Sequence, residues 1–448
     1  MGKRKVLVIL ILVVVLVLGW GLAFKAVTHM DEIKKQEALV SEADTFMSRE
    51  LYVRAIPLYE EAVKIKTTEE RGLEAESKLV NAYYLHKDYK KFSQLVEKRA
   101  EKNTASLEEY LNTVDYYLEQ RKMTDFFNLV KLGMKNTGSQ ELVDLYEANR
   151  YIHWLRPTKF TEIVGTVDNA AMPAFDGEKW GFIARDSGTY LEPRFDSVTA
   201  FTGDGIAAAC IDGKFWAITE EGDKYGADDN PNRTRIQEVK YTFGSYIIAK
   251  KDGKYGLYDY DLNQISETLL FDEVTRPSYG VIVAKNGSEW TITSLGDGSV
   301  IKGGIEDVAI NSYGSVFSEG RGFIKIGGKW HLVDTAGNDL ISETFANAKA
   351  PESDGYLAVA NDAERWGFIN DQGELVIDYE YNDAHSFSDD VAAVQKYNDS
   401  WIYISKRNQP ISEEEFDSAE PFQCGTGRVT LDGKAELIIF MYYEDQKQ

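Results

Sequence analysis

Cysteine is nearly missing from this chain of 448 residues: Cys210 and Cys424 are the only two. That excludes a disulfide framework and any paired-cysteine metal knuckle. Histidine is scarce as well, and His29, His86, His153, His331 and His385 show no metal-ligand spacing. No G-x-S-x-G, H-E-x-x-H or phosphate-cradling glycine loop occurs, so the sequence assigns no catalytic residue, metal or cofactor. Asp259, Asp261 and Asn263 imitate the start of a calcium loop. Gln264 stands where glycine is needed and Leu270 where glutamate is needed, so a hairpin turn is the expectation. Acidic runs such as Asp389-Asp390 and Glu413 to Glu415 read as solvated loops.

Positive charge is also in deficit, with a net charge of −23. Residues 25–155 carry 20 Lys and Arg against 23 Asp and Glu, whereas the chain from 156 onward carries 27 against 50. Such a field repels nucleic acid and anionic lipid or wall polymers. It favours cationic or neutral partners, or serves solubility alone.

The sequence does have one long apolar run. Val6 to Phe24 contains no charge and follows Lys3, Arg4 and Lys5. It is long enough to span a bilayer, and the basic cluster predicts a cytoplasmic N-terminus with the bulk of the chain outside. The segment after it, GLAFKAVTHM, offers a poor cleavage site, so an uncleaved single-pass anchor in the plasma membrane is expected over 1–29.

From residue 30 to 155, Pro and Gly are rare and apolar residues recur at helical spacing. Ala43, Phe46, Tyr52, Ala55, Tyr59 and Ala62 alternate small and large side chains over 36–67, which resembles a tetratricopeptide repeat. The next segments keep the paired-helix rhythm and lose the alanines. The resemblance implies stacked helix pairs with a concave face that docks a peptide or protein, and a plain stalk is the alternative.

Residues 156–448 repeat one phrase. An aromatic-Gly slot is filled by Trp180-Gly181, Phe215-Trp216, Tyr255-Gly256, Trp290, Trp330, Trp366-Gly367, Trp401 and, worn down, Ala435-Glu436, at intervals of 34 to 40 residues. A second marker follows each of the first seven slots: Phe195, Ile236, Phe271, Ile305, Phe345, Tyr381 and Phe416, each with Val or Ala three residues on. Two markers in phase resemble the WG-repeat family of bacterial proteins, whose function is poorly defined.

Within a repeat, period-two segments joined by IDGK, KDGK or KNGS predict short strands and tight hairpins. One such sheet is too small to stand alone. About seven of them around an axis would form a β-propeller, with a β-solenoid as the alternative. The last hairpin, GRVTLDGKAELIIF, is expected to close the ring against AMPAF at 171–175. Cys210 in the first unit and Cys424 in the last would then be neighbours at different heights, so free thiols are expected.

The whole therefore reads as an anchor, a helical array and an all-β repeat domain. Its expected role is binding a protein, peptide or glycan at the cell envelope. A surface carbohydrate hydrolase with paired carboxylates and a scaffold without specific ligand remain open. Loops that lengthen the two longest intervals are the candidates for recognition, with Asp228, Asp229, Asn230 and Tyr313 as residues of interest.

Overall fold

The computed structural model describes residues 28–164, 171–185 and 187–440. The expected anchor over 6–24 lies outside them. Among the described residues no helix is long and apolar enough to cross a membrane. The chain divides into two compact units at Arg150 and Tyr151.

The first unit is all helix: α1 (28–47), α2 (Tyr52–Lys64), α3 (Glu69–Leu85), α4 (Tyr89–Glu101), α5 (Leu107–Glu119), α6 (Met123–Thr137) and α7 (Gln140–Asn149). Three hairpins of helices repeat in geometry where the sequence has drifted. The turns α1–α2, α3–α4 and α5–α6 each carry one left-handed residue, Glu50, Lys87 and Arg121, followed by a cap residue at nearly the same angles. Ala43, Ala55, Tyr59 and Ala62 are buried at the first crossing, with Phe46 and Tyr52 packed beside them. The helix pairs are therefore real, while their membership of the tetratricopeptide class stays a resemblance.

The second unit contains eight small antiparallel sheets among the described residues, one more than the sequence spacing suggested. Blade 1 consists of Glu162–Ile163, Ala171–Phe175, Trp180–Ala184 and Thr189–Phe195. Blades 2 to 7 come next at 197–225, 236–258, 273–305, 307–345, 347–381 and 383–405. Blade 8 is composite. Ser418–Ala419, Thr426–Leu431 and Lys434–Phe440 are completed by His153–Pro157 from the start of the unit, with Trp154 opposite Ile439.

The closing strand is thus HWLRP rather than AMPAF, which sits inside blade 1 between its neighbours. The missed eighth marker also lies there: Phe160 and Ile163 repeat the aromatic and the aliphatic residue three places on, ahead of the first Trp-Gly pair. Both are buried.

Eight hydrophobic clusters hold the sheets, each shared by two consecutive blades. The cluster at the seam joins Ala435, Leu437 and Ile439 of blade 8 to Ile163, Met172 and Ile183 of blade 1. With the other seven joints filled in the same way, the sheets form a closed ring. Closure favours the propeller over the solenoid. Cys210 belongs to blade 2 and Cys424 to blade 8, so the ring does not make them neighbours, and no disulfide joins them.

The repeated phrase has a physical basis in the blade. The slot aromatic lies directly across from the second marker, as in Trp180 with Phe195, Trp330 with Phe345 and Trp366 with Tyr381. The glycine beside it lets the outer strand bulge inward. A Cβ on Gly181 would lie 2.5 Å from the Leu191 carbonyl oxygen, and one on Gly367 2.6 Å from that of Ile377. The acid behind the marker receives the hairpin: Gly213 N–H donates to Asp196 at 3.2 Å, Gly287 to Asp272 and Gly433 to Asp417 at 2.9 Å each. Those hairpins place Asp212-Gly213 and Asp432-Gly433 at positive φ, the conformation that twisted two-residue turns require.

Candidate functional site

The opening strands of blades 1, 2, 4 and 5 are two residues long and that of blade 3 is Ile236–Phe243; residues in or just beyond these five strands converge on one place. A cavity of about 370 Å³ is lined by residues from blades 1 to 5, among them Val164, Thr199, Lys240, Arg276 and Tyr313. Equivalent positions of five consecutive blades can meet only near the axis of the ring, so the cavity is axial. Its size falls at the lower end of small-molecule sites.

The residue four places beyond the marker varies from blade to blade. Blades 1, 2 and 3 bring Val164, Thr199 and Lys240 from that position to the cavity. Among the described residues the Lys240 ammonium makes no hydrogen bond or ion pair. It lies 5.7 Å from the Tyr241 ring and 5.3 Å from the Tyr255 ring, close enough for cation–π attraction. Burial pushes its pKa down, while Glu273 and Glu238 oppose the shift. Tyr241 is itself pushed up by burial, and the nearby Arg276 charge pulls the other way. Two cationic side chains thus share a pocket in the acidic part of the chain, and among the described residues no Asp or Glu lines it.

The wall on the blade 5 side is the lengthened loop at 311–320, and it is firmly held. Arg276 N–H donates to Gly314 O at 2.8 Å. Gly314 lies flat on the Tyr241 ring, where a Cβ would come within 2.4 Å of the ring carbon Cε1. Ser312 donates its N–H at 3.0 Å and its hydroxyl at 2.7 Å to Glu352 Oε1. Glu352 is 4% exposed, and its Oε2 has no hydrogen-bond partner among the described residues. Burial raises its pKa to about 7 against the pull of Ser312 and Arg428, with Glu420 pushing the same way as burial.

Of the loop residues named from sequence, Tyr313 lines the axial cavity and the other three lie elsewhere. Asp228 and Asp229 are exposed in the loop between blades 2 and 3. Asn230 is tied to the Asp261 carbonyl. Arg233 pins this loop from a helical turn, Asn232–Arg235: its guanidinium sits 3.7 Å from the Trp216 ring and donates to Ala227 O, Phe215 O and Tyr225 O.

The slot residues Phe215, Trp216, Tyr255, Trp290, Trp330 and Trp366 are buried within the sheets and their joints, so their role is packing. Gly256 sits in the same slot of blade 3, and Trp180 and Trp401 are half-buried there. Asp259 and Asn263 close a hairpin turn through Asn263 N–H donating to Asp259 at 2.8 Å. No group of His, Cys, Asp and Glu among the described residues could hold a metal ion.

Lys240, Arg276 and Glu352 do not stand out in the sequence. No repeat position marks them: where blade 3 carries Lys240, blades 6, 7 and 8 carry the titratable residues Lys349, His385 and Glu420.

The helical unit has a groove of its own, about 310 Å³, between α3 and α5. Asn81, Tyr84 and Asn112 line it, as does Lys78, which pairs with Asp44 at 2.6 Å.

Among solved structures the chain superposes weakly on Hsv2 of Kluyveromyces lactis, at 12% identity and a TM-score of 0.36, covering 63% of this chain and 97% of that one. A eukaryotic initiation factor gives 11% identity and a TM-score of 0.39, covering 64% and 88%. No curated protein matches the sequence. Three segments, 180–215, 366–401 and 403–434, match the WG containing repeat, and each begins in the third strand of one blade and ends in the next blade or in the last strand of the ring.

Proposed function

We propose that this chain is a binding protein rather than a catalyst. In this reading the apolar run at 6–24 anchors it in a membrane, and the helical and β units stand outside. The axial cavity carries the proposal. It is built by five blades, walled by a braced loop and lined by two cations and two tyrosines, and among the described residues no carboxylate lines it. That composition suits recognition better than hydrolysis by paired carboxylates. The groove between α3 and α5 offers a second docking surface, as the resemblance to tetratricopeptide repeats implies.

The test is crosslinking of the full chain in membranes of cells that express it, comparing the unaltered protein with Lys240→Met/Tyr313→Ala and with Asn81→Ala/Asn112→Ala. Loss of a specific crosslinked partner in the first variant is the expected result. An unchanged partner set in both variants overturns the reading. Protease added to intact cells is expected to digest the chain beyond residue 28, and full protection would overturn the outward orientation.

A further inference from the structure

The cavity's chemistry narrows what it holds, given the reading of the axial end as a recognition surface. Lys240 is the decisive group. It is half-buried, its ammonium has aromatic faces beside it and no hydrogen-bonding partner among the described residues, and it borders space large enough for a small ligand. A desolvated ammonium without an acceptor is unfavourable unless something else supplies one. Arg276 lines the same space, its backbone N–H donating to Gly314 O at 2.8 Å.

The countercharge already present limits the ligand. Glu238 and Glu273 act on Lys240 from its own blade and from the next, although neither lines the cavity, and Glu238 is further engaged by the Tyr255 hydroxyl at 2.8 Å. The excess of positive charge at Lys240 is therefore small. It matches a singly charged carboxylate better than a doubly charged phosphate. The lining also has apolar members, Val164, Pro173, Val198 and Ile310, and Ile310 remains 45% exposed.

We infer that the axial cavity binds a monocarboxylate with a short apolar body, its anionic end at Lys240 and its body against Val164, Pro173 and Ile310. The shared chemistry has two sources, a free branched or aromatic acid and the C-terminus of a peptide. The braced loop means that little ordering is required on binding: Gly314 against Tyr241 and Ser312 against Glu352 set the wall in advance.

Calorimetry on the full chain tests this with four probes: 4-methylpentanoate, its amide, the peptide acetyl-Gly-Leu with a free C-terminus, and inorganic phosphate. Saturable binding of one or both carboxylates at a Kd of about 1 mM or tighter, with none for the amide, is expected. The stronger of the two carboxylates identifies the source. Lys240→Met is expected to weaken binding at least tenfold and Lys240→Arg to restore most of it, which separates loss of charge from loss of fold. Equal binding of acid and amide, tighter binding of phosphate, no saturable binding of either carboxylate, or an unaffected Lys240→Met variant overturns the assignment. If carboxylates fail to bind while Lys240→Met/Tyr313→Ala still abolishes the crosslinked partner, the carboxylate inference falls and the axial interface stands.

Discussion

Glu352 is the residue whose surroundings conflict most with its charge. It is almost fully buried, one carboxylate oxygen has no partner among the described residues, and the protein holds its proton up to about pH 7. Between the ordinary carboxylate value near 4.5 and about 7, the unfolded chain has released this proton while the folded chain keeps it. Stability from this group therefore falls as pH rises through that window, by at most about 3 kcal/mol, and the penalty is complete above it. Glu352→Gln is expected to raise the thermal midpoint at pH 8 and to leave it nearly unchanged at pH 4.5. A midpoint lowered equally at both pH values would show that the carboxylate is needed for its hydrogen bonds to Ser312 rather than tolerated.

The slot glycines give a second residue-scale expectation. Gly181→Ala and Gly367→Ala force a Cβ onto backbone atoms of the outer strand, which costs about 1–3 kcal/mol or more. Gly72→Ala in α3 meets nothing within 4 Å and is expected to stabilise by up to about 1 kcal/mol. Chemical denaturation of the three variants checks the contrast. The glycines announced themselves in the sequence because their neighbour is an aromatic that recurs. Lys240 and Glu352 were harder to see, since their meaning depends on where strands from different blades meet, and one residue's spacing carries no record of that.

At the scale of elements, the sequence repeat and the blade are offset. A repeat that starts at Trp180 runs through the outer half of blade 1 and the inner half of blade 2, so every copy of the phrase ties two sheets together. This is why hairpins and phase were legible while closure was not. The phrase that begins at Ala435-Glu436 is cut by the end of the unit and resumes at His153–Pro157, almost three hundred residues earlier in the chain. Without its outer strand, blade 8 would present the edge of Lys434–Phe440, whose last four residues are buried. An unpaired apolar edge invites pairing between molecules. A chain lacking residues 1–158 is expected to self-associate in light scattering, whereas one lacking residues 1–150 is expected to stay monodisperse. Equal behaviour of the two would mean that HWLRP does not seal the ring.

At the scale of the whole β unit, closure changes how local damage spreads. In a ring each blade has two packed neighbours, and in an open array the terminal sheets have one. Leu437 lies at the seam between blades 8 and 1, and Leu332 at the joint between blades 5 and 6; both are fully buried. Removing either side chain leaves a cavity of similar chemistry, so Leu437→Ala and Leu332→Ala are each expected to cost about 2–5 kcal/mol. In a closed ring both costs appear in one cooperative transition. In an open array Leu437→Ala would instead produce a separate, early loss of the last sheet. Amide hydrogen exchange discriminates further: with the ring closed, Leu437→Ala lowers protection in Trp180–Ala184 of blade 1, which is far away in sequence and adjacent only through the seam. Protection in that strand that matches the unaltered protein would contradict closure, and with it the axial cavity that closure creates.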